Sequence, residues 1–342
     1  MNPGARIAFL DDDHVLRMVE DLFAARTDEV DAFFLPDRPD PAELEKLRAG
    51  ITTADPADAS VLVLRRGPVD RAMIESMPGL RLVQRLGTRR EGLDLAAARA
   101  HGVEVSCLPR PSLERTAEHA ILLMLALVKQ LVPADRAARR GSAQQPEPSG
   151  SAYNWVGLTG LGGLSGRVLG IVGLGEVGRL VAERARAFGM RVLYTGRARI
   201  PARSEAELGV EHRTLDALLA ESDVVSLHVP GPAVTCPLIG RAELAAMRPG
   251  SLLVNTGRGV LVDEDALYDA LCSGRLAGAG LDVHETEPRP ARDRFCALDS
   301  VVLTPHIAGG SRLEVLVEVA RMVDNIRAVL DGGVPVYGRV LP

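Results

Sequence analysis

The chain has 342 residues, 46% of them hydrophobic and 25% charged, with a formal net charge of −5. That length suffices for two domains with cores of their own, and the mildly acidic balance argues against a nucleic-acid or anionic-membrane partner. The longest unbroken apolar run, Ala120 to Val128, is far short of the ~20 residues a spanning helix needs, so no membrane segment is expected.

The first hundred residues alternate short apolar runs with helical patterns. Arg6–Leu10, Ser60–Leu64, Leu80–Leu86 and Val103–Cys107 read as strands, and Val15–Ala25, Pro41–Arg48, Val69–Ser76 and Leu93–Ala100 as helices between them. Pro3, Gly4 and the acidic run Asp11-Asp12-Asp13 give no signal or transit peptide pattern. Strands alternating with helices imply a parallel sheet covered on both faces. Thr116 to Leu131 is a Leu- and Ala-rich helix, and Gly141 to Gly150 reads as a mobile loop.

A second alternating run begins after Gly166. Its strands are Val168–Val172, Arg191–Tyr194, Val224–His228, Leu252–Asn255, Ala279–Val283 and Val301–Leu303, and a last helix spans Arg312–Leu330. The expected fold class is therefore α/β, with two doubly wound, Rossmann-like parallel-sheet domains and an active-site cleft between them. Residues 1–110 with 308–342 form the expected substrate domain, flavodoxin-like, and 111–307 the dinucleotide-binding domain.

Gly173-Leu174-Gly175-Glu176-Val177-Gly178 follows the first strand of the second run and opens a helical stretch, Arg179 to Phe188. Gly173 permits a tight turn, Gly175 lets the backbone approach a pyrophosphate, and Gly178 lets the helix pack closely. The helix start then offers backbone N–H groups and a partial positive charge to phosphates. A dinucleotide is the expected cofactor.

Three later strand ends carry reactive side chains. Asn255-Thr256-Gly257-Arg258-Gly259 places a guanidinium where it could fork onto a carboxylate, or merely cap a turn. Asp282-Val283-His284-Glu285-Thr286-Glu287-Pro288 and Thr304-Pro305-His306-Ile307 follow the next strands. Hydride transfer to a ketone needs a proton donor at the new hydroxyl, and histidine serves near neutral pH, with a carboxylate to hold its tautomer. No metal is expected: Cys107, Cys236, Cys272 and Cys296 are scattered without ligand spacing and fit reduced thiols in a cytoplasmic protein. Schiff-base chemistry has few candidates, because lysine occurs only at Lys46 and Lys129.

From about residue 60 onward the chain resembles the D-isomer-specific 2-hydroxyacid dehydrogenases. The resemblance is carried by Gly87–Leu95, Thr116–His119, the glycine fingerprint, Ser222–Pro230, Arg248–Asp263, Leu281–Pro288 and Thr304–Ser311. It implies that Arg258 binds the substrate carboxylate and carbonyl, that His306 is the acid/base and that Glu287 is its partner. It places Asp282 near the nicotinamide carboxamide, with Glu285 and Glu118 outside the catalytic set. Thr116, His228, Val229, Pro230, Thr256, Gly257 and His306 join the fingerprint residues as expected cofactor contacts. Gly87, Thr88, Arg89 and Arg90 join Arg258 and His306 as expected substrate contacts.

This sequence departs from the family pattern twice. NAD-using members place an acid after the second strand of the nucleotide fold, whereas Gly196 stands here, followed by Arg197 and Arg199. Arginines can pair with a 2′-phosphate, so NADP(H) is favoured over NAD(H), although a solvated basic turn would read the same. In the substrate loop, Arg89 stands where a further glycine is usual. Arg89 and Arg90 would suit a substrate with a second anionic group, or point to solvent or to Glu91. The expected activity is NADPH-dependent reduction of a small 2-oxo acid to the D-2-hydroxy acid. Alternatives are NAD-dependent oxidation by the same fold and a dinucleotide-sensing corepressor. The apolar circumference of the Thr116–Leu131 helix also suggests a homodimer.

Overall fold

The computed structural model describes residues 6–9, 52–53, 56–65, 67–141, 154–229, 237–310 and 312–340. The expected helices Val15–Ala25 and Pro41–Arg48 lie outside these residues, as do Leu10, Pro230, Cys236, Ser311 and all of the expected 141–150 loop except Gly141. The chain divides into two compact units, Met1–Ser112 with Gly310–Pro342, and Leu113–Gly309.

The first unit is built on a five-stranded sheet with the order β2-β1-β3-β4-β5. Its strands are β1 (Arg6–Phe9), β2 (Thr52–Thr53), β3 (Val61–Leu64), β4 (Leu82–Leu86) and β5 (Glu104–Leu108), and every pairing is parallel. All four residues of β3 are buried, as expected of a strand covered on both faces. Asp70 and Asp94 start the helices Arg71–Glu75 and Leu95–Ala100 by accepting from Met73 N and Ala97 N at 2.9 and 2.8 Å. The last helix, Arg312–Leu330, places Met322, Ile326, Val329 and Leu330 at three- and four-residue spacing against Val61, Val63 and Leu82. Arg81, the residue before β4, caps that helix, donating to the carbonyls of Leu330 (2.9 Å) and Val329.

The second unit holds a seven-stranded parallel sheet in the order β12-β11-β10-β9-β6-β7-β8. Its strands are β6 (Val168–Val172), β7 (Arg191–Thr195), β8 (Val210–His212), β9 (Val224–Leu227), β10 (Ser251–Asn255), β11 (Leu276–Leu281) and β12 (Val301–Leu303). The strand order reverses between β6 and β9, and ligands of such sheets bind at the carboxyl ends beside that reversal. The edge strands β2 and β8 were not expected from sequence; each is only two or three residues long and carries almost no periodic signal.

The helix expected at Thr116–Leu131 is two helices. The first begins at Pro111 and runs to Val128, and the second spans Leu131–Arg140. Gln130 breaks them apart with a φ of 48°, while proline at a first helical turn costs no hydrogen bond. Ala117, Ala120, Leu123 and Met124 bury one face of the first helix in the second unit's core. Gly280 on β11 permits this approach, since a Cβ there would lie 2.9 Å from Leu123 Cβ. No single helix among the described residues is long and apolar enough to cross a membrane.

Candidate active site

The glycine turn joins β6 to the helix Glu176–Ala187. Gly173 has φ 101°, and a Cβ on it would meet Val229 Cγ1 at 2.6 Å and the His228 carbonyl oxygen at 2.7 Å. The turn is thereby pressed against the carboxyl end of β9, where His228 N donates to Val172 O at 2.8 Å. Gly178 packs in the same way on the Gly173 carbonyl, whereas a Cβ on Gly175 would meet nothing within 4 Å. Gly175 is the N-cap of the helix and supplies no side-chain cap. Leu174 is buried, while Glu176 and Val177 are half-buried in the turn. An open space over an uncapped helix start suits a pyrophosphate.

Two further features fit a bound dinucleotide. Thr256 is buried, and its Oγ1 has no hydrogen-bond partner. Arg179, one residue beyond the fingerprint, likewise keeps a buried Nε with no partner. His228 accepts from or donates to Ser226 Oγ at 2.8 Å through Nε2, and burial pushes its imidazole down to about 4, so the ring is neutral near pH 7. Thr116 lies on the helix Pro111–Val128, 3.8 Å from where a Cβ on Gly309 would sit.

The basic turn after β7 separates its two arginines. Arg199 is committed to Glu205 through paired bonds of 2.8 and 2.7 Å. Tyr194 donates its hydroxyl to the same carboxylate at 2.7 Å, and these contacts hold the Glu205 carboxyl down at about 2. Arg197 is exposed beside exposed Gly196, and its guanidinium pairs with no group among the described residues. The sequence treated Arg197 and Arg199 alike; the fold leaves only Arg197 unengaged.

At the end of β10, Asn255 shapes the arginine loop. Its Nδ2 donates to Arg258 O at 2.9 Å, and its Oδ1 accepts from Gly257 N at 3.0 Å. Arg258 is half-buried, with one nitrogen on the Gly257 carbonyl at 2.6 Å. Gly259 sits so tightly on the His284–Glu285 backbone that a side chain could not fit there. The loops after β10 and β11 are therefore packed together.

His306 and Glu287 meet after β12 and β11. Nδ1 of His306 lies 2.7 Å from Oε2 of Glu287, and Oε1 of the same carboxylate accepts from His284 N at 2.9 Å. Burial opposes ionisation of Glu287, but the bonds from His306 and His284 outweigh it and hold the carboxyl below its usual range. Asp282 is fully buried and accepts from Thr304 Oγ1 (2.6 Å), Ile307 N (2.9 Å) and Ala308 N (2.9 Å). His119 Nε2 adds a contact to Thr304 Oγ1 at 2.9 Å and lies 3.5 Å from Asp282 Oδ1. Asp282 thus braces the segment that carries His306.

In the other unit, Gly87 (φ 124°) and Gly92 (φ 82°) bound an exposed loop that includes Thr88. Arg89 lies 3.4 Å from Glu91, while Arg90 is exposed and unpaired among the described residues. Sequence reading passed over Arg85. This buried guanidinium on β4 ties the loop down, donating to Glu91 O (2.8 Å), Arg89 O (3.3 Å) and Gly67 O. Its position in an apolar strand was the available signal, because a buried arginine needs several acceptors. No group of His, Cys, Asp or Glu among the described residues could hold a metal ion.

The family model for the D-isomer specific 2-hydroxyacid dehydrogenase NAD binding domain matches residues 121–308. A glyoxylate reductase from Korarchaeum cryptofilum is 41% identical over 281 residues, covering 81% of this chain and 82% of that protein. Among solved structures, a glyoxylate reductase from Paecilomyes thermophila is similar with a TM-score of 0.59 and 30% identity, covering 99% of this chain and 98% of that one. An NADPH-dependent glyoxylate/hydroxypyruvate reductase from Sinorhizobium meliloti, solved with citrate, gives a TM-score of 0.57 and 27% identity over 98% and 97% of the two chains.

Proposed function

Because the chain belongs to the D-isomer-specific 2-hydroxyacid dehydrogenase family, and is thus an NAD(P)-dependent oxidoreductase of small 2-oxo and 2-hydroxy acids, we propose that it works as an NADPH-dependent reductase making the D-2-hydroxy acid. The observation that carries this reading is the His306–Glu287 pair at 2.7 Å, beside the loop that bears Arg258. The turn Gly173–Gly178 would hold the pyrophosphate, and Thr256, Gly257, His228 and Val229 lie on loops at the neighbouring strand ends. Pro230, assigned to the same contacts, lies outside the described residues. When bound, the nicotinamide supplies the hydride.

The chain's own residues supply the rest. Reducing a ketone adds a hydride at carbon and a proton at oxygen. With Nδ1 bonded to Glu287, His306 has Nε2 left to deliver that proton. The Arg258 guanidinium can fork onto the substrate carboxylate and polarise the adjacent carbonyl. Asp282 and Asn255 act through these groups, by fixing the loops on which they ride.

NADPH is preferred in this reading because Arg197 is exposed and unengaged beside Gly196, free to meet a 2′-phosphate. Arg90 supports a substrate with a second anionic group, whereas Arg89 already faces Glu91. A homodimer is supported by Leu122 on the helix Pro111–Val128, 49% exposed, and by Trp155, 48% exposed. Cys107, Cys272 and Cys296 are free thiols, as suits a cytoplasmic setting. The test is cofactor oxidation with glyoxylate, hydroxypyruvate and phosphonopyruvate, using NADPH and NADH in parallel. Turnover with NADPH supports the reading, and turnover with NADH alone overturns its cofactor half.

A further inference from the structure

His284 is a buried histidine that the chemistry above leaves unused. Its Nδ1 receives two bonds from Arg289, from Nε at 3.1 Å and from a terminal nitrogen at 2.9 Å. Its Nε2 lies 3.0 Å from the Thr304 carbonyl oxygen. A guanidinium only donates and a carbonyl only accepts, so both contacts demand the same tautomer, with the hydrogen on Nε2. Both ring nitrogens are then spent. The ring is not a second acid/base.

Arg289 is itself fixed. Its terminal nitrogens donate to Asp293 Oδ1 at 2.7 Å and Glu264 Oε1 at 2.6 Å, and its guanidinium lies 5.1 Å from the Phe295 ring centroid. Glu264 also accepts from Glu285 N at 3.1 Å, which ties this cluster to the loop carrying Glu287. Carboxylates from two elements therefore balance one buried cation.

The position of His284 gives this cluster a use. Its backbone N–H holds Glu287 Oε1, and its ring holds the Thr304 carbonyl. That same carbonyl accepts the longer branch of a shared bond from His306 N, at 3.1 Å, the shorter branch going to Asp282 O at 2.8 Å. His306 has φ 55°, a left-handed backbone that a non-glycine residue keeps only where its surroundings enforce it. One residue thus reaches both members of the pair, Glu287 through its backbone N–H and His306 through the Thr304 carbonyl that its ring holds. We propose that His284, with its tautomer set by Arg289, is a positioning residue that holds Glu287 and His306 in register for proton delivery. The proposal rests on His306 and Glu287 being the working pair.

Glutamine can place an amide nitrogen near the former Nε2, so the full-length His284→Gln variant keeps a donor to Thr304 O; His284→Phe keeps bulk but loses it. His284→Phe is expected to lower kcat by roughly ten- to a hundredfold, as small misplacements of reacting groups do. NADPH affinity, read by cofactor fluorescence, should not change. His284→Gln should recover most of the rate. If the phenylalanine variant does not fold, His284→Asn replaces it, since asparagine can face Arg289 but falls short of Thr304. A folded, donor-less variant with normal kcat overturns the proposal, as does a glutamine variant no faster than it. His306→Ala assayed alongside separates the two ideas. Activity retained there removes the working pair itself, whereas activity lost there with His284→Phe unimpaired removes only the positioning role.

Discussion

Glu287 uses its two oxygens on two different partners: Oε2 meets the side-chain Nδ1 of His306 at 2.7 Å, and Oε1 accepts from the backbone N of His284 at 2.9 Å. The carboxylate is thereby fixed in rotation, and it fixes the imidazole in turn. The pair nevertheless stays open to solvent, with side-chain exposures of 46% for His306 and 35% for Glu287. A proton donor needs both properties, a set direction and access to the reacting oxygen.

His306→Ala should therefore lower turnover by orders of magnitude while NADPH still binds. Steady-state kcat and cofactor titration check this, and near-normal turnover would contradict it.

Glu287→Gln tests the pH side. Because the Glu287 carboxyl is held below its ordinary range in the fold, the anion facing His306 persists below the usual carboxylate titration and is lost as pH falls through the depressed value. The substitution should alter the acidic limb of the kcat/KM–pH profile. Superimposable profiles for the two proteins would contradict it.

Cofactor discrimination should follow Arg197 and not Arg199. Arg197→Ala is expected to weaken NADPH by about tenfold or more, the scale of one lost charge-assisted contact, with little effect on NADH. Arg199→Ala should spare that ratio, because Arg199 is already spent on Glu205. Binding constants for both cofactors with both variants decide it.

Glu205 offers a stability test. Its carboxyl titrates near 2 in the fold against 4.5 ordinarily, mainly through Arg199 and then Tyr194. Its stabilising contribution is complete above the unfolded value and disappears as pH falls from 4.5 toward 2. Denaturant curves of Glu205→Gln and the unmodified protein should differ most near neutrality and converge on acidification. A constant difference across that range would contradict the assignment.

Much of this site was legible in the sequence because backbone demands leave marks on residue type. Gly173 needs a positive φ, Gly178 needs contact with the Gly173 carbonyl, and only glycine meets either. Arg258, Glu287 and His306 each follow an apolar run, so period and order alone put them at neighbouring strand ends. Partnerships between side chains left no such mark. Nothing in the order Arg197-Ala-Arg199 says that Glu205 takes one arginine and leaves the other. Asp282 was expected beside the nicotinamide; its donors Thr304 Oγ1, Ile307 N and Ala308 N emerge only once the Thr304–Ala308 segment has turned back over it. The clasp of Arg289 on His284 is hidden for the same reason.

Self-association is expected to involve the helix Pro111–Val128, where Leu122 is exposed. Sedimentation at micromolar concentration should give about twice the 36.4 kDa chain mass, and a monomer would contradict the dimer.

The most direct test of the central claim mixes purified protein, NADPH and glyoxylate, and measures oxidised cofactor and 2-hydroxy acid together. The two should form in equal amounts with the unmodified protein, and both should vanish with a folded, NADPH-binding His306→Ala variant. A folded protein that binds NADPH yet reduces none of glyoxylate, hydroxypyruvate and phosphonopyruvate would contradict it, as would a His306→Ala variant that turns over at the unmodified rate.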